Sequence, residues 1–362
     1  MTTSILDHHP ARRKTGARCR GATRVAGLHR RSHASDAPCG VRGALATTRA
    51  PARNPQSRHS RPQPRRLPQE DAIMAATPTG DVHEIELGPG TIRYRDVGRG
   101  APIVFVHGLL VNGDLWRKIV PPLAREFRCI VPDLPLGSHA RAMRPDADLS
   151  PPALAKIVAD LLVALDLRDV TLVGNDTGGA LCQLVVTRHP ERVGRLVLTP
   201  CDAFDNFPPA FFAPLVAAGK HPALLNLIAQ SLRLLPLARA PLAYGWLAKH
   251  RLDDAVLRSY TRPGIESAAV RHDTAKVIRG LDPRWTLETA ERLHAFAGPT
   301  LLAWAKEDHF FPLEHAHRLA TILPDARVVE IDDTWAFVPE DQPERLATLI
   351  AEFLRERATR SA

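Results

Sequence analysis

Residues 169–190, DVTLVGNDTGGALCQLVVTRHP, leave the chain few ways to fold. The apolar run Val170, Thr171, Leu172, Val173 has the makeup of a buried strand, and Leu181, Leu184 and Val185 share one face of a helix. Only Gly174-Asn175-Asp176-Thr177-Gly178-Gly179 stands between them, so the chain must reverse within a few residues. The apex of so tight a strand-to-helix turn takes unusual backbone angles, and small residues are needed two positions before and two after it. Gly174 and Gly178 hold those positions around Asp176. The turn then lifts a carboxylate above the end of the strand, where the first N–H groups of the helix and its dipole can hold negative charge.

The same residues have plainer readings. Asp176-Thr177-Gly178 spells the aspartic-protease triplet, but that motif needs an all-β setting and a second copy, and here a helix follows. The glycines do not fall at the G-x-G-x-x-G spacing of a dinucleotide site. An aspartate that merely caps a helix would look the same at this level.

What surrounds the turn bounds the function. The chain has 362 residues and 44% hydrophobic content, room for one large α/β domain with an insertion or for two ordinary domains. The net charge of +9 comes from one end: residues 1–73 hold 15 Lys and Arg against 4 Asp and Glu. The remainder holds 33 basic and 35 acidic residues, so the folded body is not expected to bind nucleic acid specifically. No apolar stretch reaches the roughly 18 residues of a membrane span; the greasiest region, 222–243, is interrupted by Gln230, Arg233 and Arg239. Cys19, Cys39, Cys129, Cys182 and Cys201 show no paired spacing. They read as reduced thiols of a cytoplasmic protein, and no metal site is expected.

In chain order, residues 1–73 are rich in Arg, Pro, Ser and Ala without periodicity, which predicts a disordered extension, dispensable and attributable to an early start assignment, with Met74 opening the globular part. Alternating residues at 82–87 and 91–97 around Gly88-Pro89-Gly90 predict a hairpin. Residues 102–106 read as a buried parallel strand ending in His107-Gly108-Leu109-Leu110. Leu115, Ile119 and Leu123 predict a helix, 129–131 a strand, and Ser150-Pro151 a capped helix reaching about Leu167. After a strand at 193–199 the alternation stops. Residues 202–297 are Leu-, Ala- and Pro-rich with helical spacing, which predicts a helical cap inserted over the sheet. A strand at 300–305, a helix near 313–323, a strand at 327–331 and a final helix carrying Leu346, Leu349, Ile350, Phe353 and Leu354 complete a mostly parallel sheet with helices on both faces. The expected parts are residues 1–73, a core at 74–201, the cap at 202–297 and the rest of the core at 298–362.

These residues resemble the α/β-hydrolase fold over roughly 280 positions. The likeness rests on His107-Gly108, the Gly174 to Gly178 turn, Lys306-Glu307-Asp308-His309 after a late strand, and Phe337-Val338-Pro339 with Gln342-Pro343-Glu344 near the end. An aspartate at the turn is similar to the haloalkane dehalogenase, fluoroacetate dehalogenase and epoxide hydrolase branch. The resemblance implies a cofactor-free and metal-free hydrolase with a small-molecule substrate, Asp176 as nucleophile, Asp308 as the acid that orients a histidine, and the N–H groups of Leu109 and Thr177 as oxyanion donors. Epoxide hydrolases use cap tyrosines to protonate the epoxide oxygen, and the cap offers Tyr244 and Tyr260 as candidate substrate-binding residues.

The histidine itself is missing. Ala336 occupies its expected place in Asp333-Thr334-Trp335-Ala336-Phe337-Val338-Pro339, and no histidine follows His317. His309, His272 and His139 are the candidates to replace it. Carboxylate attack suits a saturated carbon, because attack on an ester would form a labile anhydride; a halide or an epoxide is therefore the expected substrate. The alternatives are a lyase or isomerase that uses Asp176 as a base, and an inactive member that binds a ligand in the pocket. Oligomeric state is not legible.

Overall fold

The computed structural model describes residues 80–358 together with the backbone of Arg65–Arg66. The expectation for residues 1–73 otherwise falls outside the described residues, as do Cys19 and Cys39. Among the described residues nine strands form one sheet: β1 (Arg65–Arg66), β2 (Val82–Leu87), β3 (Gly90–Val97), β4 (Pro102–Val106), β5 (Arg128–Asp133), β6 (Val170–Asp176), β7 (Val193–Cys201), β8 (Thr300–Ala305) and β9 (Ala326–Ile331). Their spatial order is β1-β2-β3-β5-β4-β6-β7-β8-β9. Strands β1, β2 and β3 pair antiparallel and β3 joins β5 antiparallel, while every pairing from β5 through β9 is parallel. All seven residues of β6 are buried, which only a strand covered on both faces can show.

The helices fall into three groups along the chain. In the first half come α1 (Val120–Leu123), α2 (Pro151–Ala164) and α3 (Thr177–Arg188); α3 packs on β6 and β7, and α2 packs on α3. Between β7 and β8 lie α4 (Ala213–Ala218), α5 (Pro222–Ser231), α6 (Leu235–Ala238), α7 (Asp254–Glu266), α8 (Ala268–Gly280) and α9 (Pro283–Ala290). No named strand interrupts them among the described residues; Ala203 and Asn206 form an isolated bridge. After β8 come α10 (Leu313–Ile322), α11 (Val338–Asp341) and α12 (Pro343–Ala358). Among the described residues no single helix is long and apolar enough to cross a membrane, and Ala210–Ala218 with Pro222–Ser231 pass that test only as a pair bent by 114°.

Two local expectations need correction. The helix read from Leu115, Ile119 and Leu123 is a 3-10 turn, Gly113–Trp116, followed by the one-turn α1. Pro121 and Pro122 supply no N–H, and the Asn112 side chain caps the 3-10 turn at Asp114 N. Ser150 precedes α2 but does not cap it with its side chain; its hydroxyl donates to Asp148 Oδ2 at 3.1 Å, and the helix ends at Ala164.

A buried ion pair closes the C-terminal half onto the N-terminal half. Glu340 receives both guanidinium nitrogens of Arg117 and lies 3.2 Å from Lys118 Nζ. Such a pair is geometrically demanding, because the carboxylate is 5% exposed and must be met by cations to be tolerated.

The tight turn after β6 has no spare room. A Cβ on Gly178 would overlap the Val106 carbonyl oxygen, and one on Gly174 would come within 2.7 Å of Gly179 Cα. Backbone atoms cannot swing aside as a flexible side chain would. Gly178→Ala is therefore expected to destabilise the protein by about 3 kcal/mol in urea denaturation. Gly88→Ala, where a Cβ meets nothing within 4 Å, should be near neutral.

Candidate active site

Asp176 closes β6 with φ 57° and ψ −136°, the positive-φ apex expected of the turn, and α3 begins at the next residue. Its Oδ1 accepts from Leu109 N at 3.3 Å and from Thr177 N. Both proposed oxyanion donors thus converge on one carboxylate oxygen. Leu109 can reach because Gly108 has no side chain: a Cβ there would fall 2.6 Å from Asp176 Oδ1. No hydrogen bond is made to Oδ2 among the described residues. Burial raises the Asp176 pKa above the ordinary carboxylate range, against the lowering effect of the Thr177 and Leu109 hydrogen bonds.

His107 supports the first of these donors without facing substrate. Its Nε2 accepts from Leu134 N at 2.8 Å, so the ring proton lies on Nδ1 and is donated to the Gly108 carbonyl at 2.9 Å. Burial lowers its pKa to about 4, so it stays neutral.

Asp308 follows β8. Its Oδ1 accepts from Phe310 N at 2.7 Å and Phe311 N at 3.1 Å. The residue is partly exposed, but Oδ2 is buried and has no hydrogen-bond partner among the described residues. Burial raises its pKa to about 7, helped by the charge of Asp176 and opposed by the two N–H groups.

Ala336 lies buried in the turn between β9 and α11. Its carbonyl accepts from Asn175 Nδ2 at 2.7 Å, which clamps this turn to the residue preceding Asp176. His309 is exposed and packs on the Trp335 ring, 4.4 Å between centroids, with Trp246 nearby. His272 is exposed on α8, and His139 is buried 3.2 Å from Asp273. The structure brings none of the three to the cavity beside Asp176.

That cavity opens between the turn and the helical segment after β7. The space, roughly 800 Å³ when the open solvent at its mouth is counted, has apolar walls, with Phe212, Leu232, Leu247 and Phe311 among them. Among the described residues the polar side chains lining it are Asp176, Thr177, Asp202 and Tyr244, and no cationic side chain does so. Tyr244 lines the cavity, and its hydroxyl donates to the Leu110 carbonyl at 2.6 Å. Tyr260 is not on this cavity: it is buried with its hydroxyl 3.1 Å from Glu340 Oε1, drawn there by an acceptor that long-range packing supplies.

Asp202 was not singled out from the sequence. It directly follows β7, whose Cys201 pairs with Asp176, and Thr177 Oγ1 donates to its Oδ2 at 3.2 Å. An acidic residue just past a buried strand neighbouring the turn was the available signal.

The chain belongs to the α/β-hydrolase fold family, whose model matches residues 101–343. It is 29% identical over 273 residues to haloalkane dehalogenase 2 of Mycobacterium tuberculosis, covering 73% of this chain and 91% of that protein. It is 27% identical over 275 residues to 2-hydroxymuconate semialdehyde hydrolase of a Pseudomonas strain, covering 72% of this chain and 89% of that protein. The solved structure of a haloalkane dehalogenase loop variant from Bradyrhizobium elkanii superposes with a TM-score of 0.65 at 21% identity, covering 78% of this chain and 98% of that one. At that identity the likeness shows the fold alone.

The raised pKa of Asp308 has a consequence for stability. Between the ordinary value of 3.8 and about 7 the unfolded chain releases this proton while the folded protein keeps it, so folding loses stability as pH rises through that window. Asp308→Asn removes the group. In thermal unfolding across pH, the melting temperature of the variant relative to wild type should rise from pH about 4 to about 7 and level off above.

Proposed function

We propose that the protein is a hydrolase in which Asp176 attacks a saturated carbon of a neutral, apolar, small or medium-sized molecule, displacing halide or opening an epoxide, and becomes an alkyl ester. The observation that carries this reading is the division of labour between its oxygens. Oδ1 is held by Leu109 N and Thr177 N, leaving Oδ2 as the attacking atom. After attack Oδ1 is the ester carbonyl oxygen, already in place for the charge that develops when water adds.

The rest of the cavity narrows the substrate. A carboxylate substrate such as fluoroacetate would be desolvated beside Asp176 with no cation among the lining residues to hold it. Neutral molecules carry no such cost. In this reading residues 202–297 are the cap that closes the apolar side of the cavity, and residues 74–201 and 298–362 are the two halves of the core.

The second half of the reaction is the slow one. A histidine bound to Asp308 would normally activate water, and Ala336 offers only a methyl group. An alkyl ester on Asp176 should therefore outlive its formation. Incubation with benzyl bromide, followed by intact-mass measurement and peptide mapping, is expected to find one benzyl group on Asp176. Asp176→Asn should lose that modification entirely. Labelling at other sites only, unchanged in Asp176→Asn, would defeat the proposal and return Asp176 to the role of a base or a helix cap.

A further inference from the structure

We infer that Asp202 is a second catalytic carboxyl group, which donates a proton to an oxygen leaving group and then, as the carboxylate, activates the water that cleaves the Asp176 ester. The inference rests on the nucleophilic reading of Asp176 and narrows its substrate to an epoxide.

The placement is a product of the sheet. Cys201 pairs with Asp176 across β7 and β6, so the next residue, Asp202, emerges beside the turn. Thr177 touches both acids: its N–H is on Asp176 Oδ1, and its hydroxyl donates to Asp202 Oδ2 at 3.2 Å. Gln183 Nε2 fixes the Asp202 backbone carbonyl at 3.0 Å. Asp202 is 1% exposed yet lines the same cavity as Asp176.

Its protonation follows from these contacts. Two buried carboxylates this near one another, with no cation lining the cavity, cannot both be ionised cheaply. Asp176 has two N–H donors; Asp202 has one hydroxyl. The proton therefore stays on Asp202, whose pKa burial and the Asp176 charge raise well above the ordinary range. Because Oδ2 accepts from Thr177, the proton sits on Oδ1, which is buried and has no hydrogen-bond partner among the described residues. This is an O–H donor awaiting an acceptor. The other hydroxyls on the cavity are already committed, Tyr244 to the Leu110 carbonyl and Thr177 to Asp202.

The steps balance. An Asp176 Oδ2 lone pair forms the C–O bond, the epoxide C–O bond breaks, and its electron pair takes the Asp202 proton, leaving a hydroxyalkyl ester and an Asp202 carboxylate. That carboxylate takes a proton from water as the hydroxide adds to the ester carbon, with the charge on Oδ1 facing Leu109 N and Thr177 N. Collapse expels the diol oxygen, which receives the proton back from Asp202, and the carboxyl proton left on Asp176 passes to Asp202, which restores the starting pair. One acid group thus serves as acid and then as base, and no histidine is required. A halide takes no proton, so Asp202 stays neutral, no base is generated, and the ester persists.

The test compares styrene oxide with benzyl bromide in wild type and Asp202→Asn, since asparagine keeps an acceptor for Thr177 but has no acid proton. Wild type should convert styrene oxide to diol over many turnovers and be trapped by benzyl bromide at Asp176. Asp202→Asn should open the epoxide at least about 100-fold more slowly while its benzylation stays within about threefold of wild type. Epoxide opening unchanged in the variant would overturn the inference. Loss of both reactions would overturn it too, making Asp202 a holder of the turn. A wild type benzylated at Asp176 but inert to epoxides would sink the role of Asp202 and leave the nucleophile standing. Wild type untouched by either probe would remove both.

Discussion

The site depends on a backbone conformation that the rest of the chain has to hold in place. Asp176 sits at φ 57°, a region that costs a non-glycine residue on the order of 1–3 kcal/mol. What compensates is packing at atomic contact: Gly178 against the Val106 carbonyl, Gly174 against Gly179, and Gly108 against the Asp176 carboxylate itself. The two N–H groups on Oδ1 come from opposite sides of this contact, Thr177 from α3 and Leu109 from the end of β4. Strain, burial and charge stabilisation meet in one residue.

Electrostatics then follow from what the cavity lacks. Asp176, Asp202 and Asp308 all have raised pKa values, each with burial as the largest cause and the charge of Asp176 acting on the other two. In the proposed reaction this unbalanced cluster of acids stores one proton beside the nucleophile. The apolar walls strengthen both effects by excluding water.

Much of the architecture was legible because periodicity and turn chemistry are local. The hairpin around Gly88, the strand ending at His107, the helices after residue 202 and the strand Thr300–Ala305 follow from patterns a few residues long. The failures were also local in origin. Pro121 and Pro122 cut the expected helix to one turn, and Asp148 took the Ser150 hydroxyl from its capping role. The partner of Tyr260 is set at longer range: Glu340, to which its hydroxyl donates, lies 80 residues away and is itself held by Arg117.

By itself the sequence determined the tight turn, since Gly174, Gly178 and Gly179 around Asp176 admit few other geometries. Tertiary structure alone decided which groups face one another across the cavity. His309 neighbours Asp308 in the chain yet stacks on Trp335, while Asp202, 26 residues from Asp176, lies beside it because parallel strands place their carboxyl ends together. Side-chain meetings of that kind depend on strand register and on burial, which are properties of the assembled sheet and are not written in any short stretch of the chain.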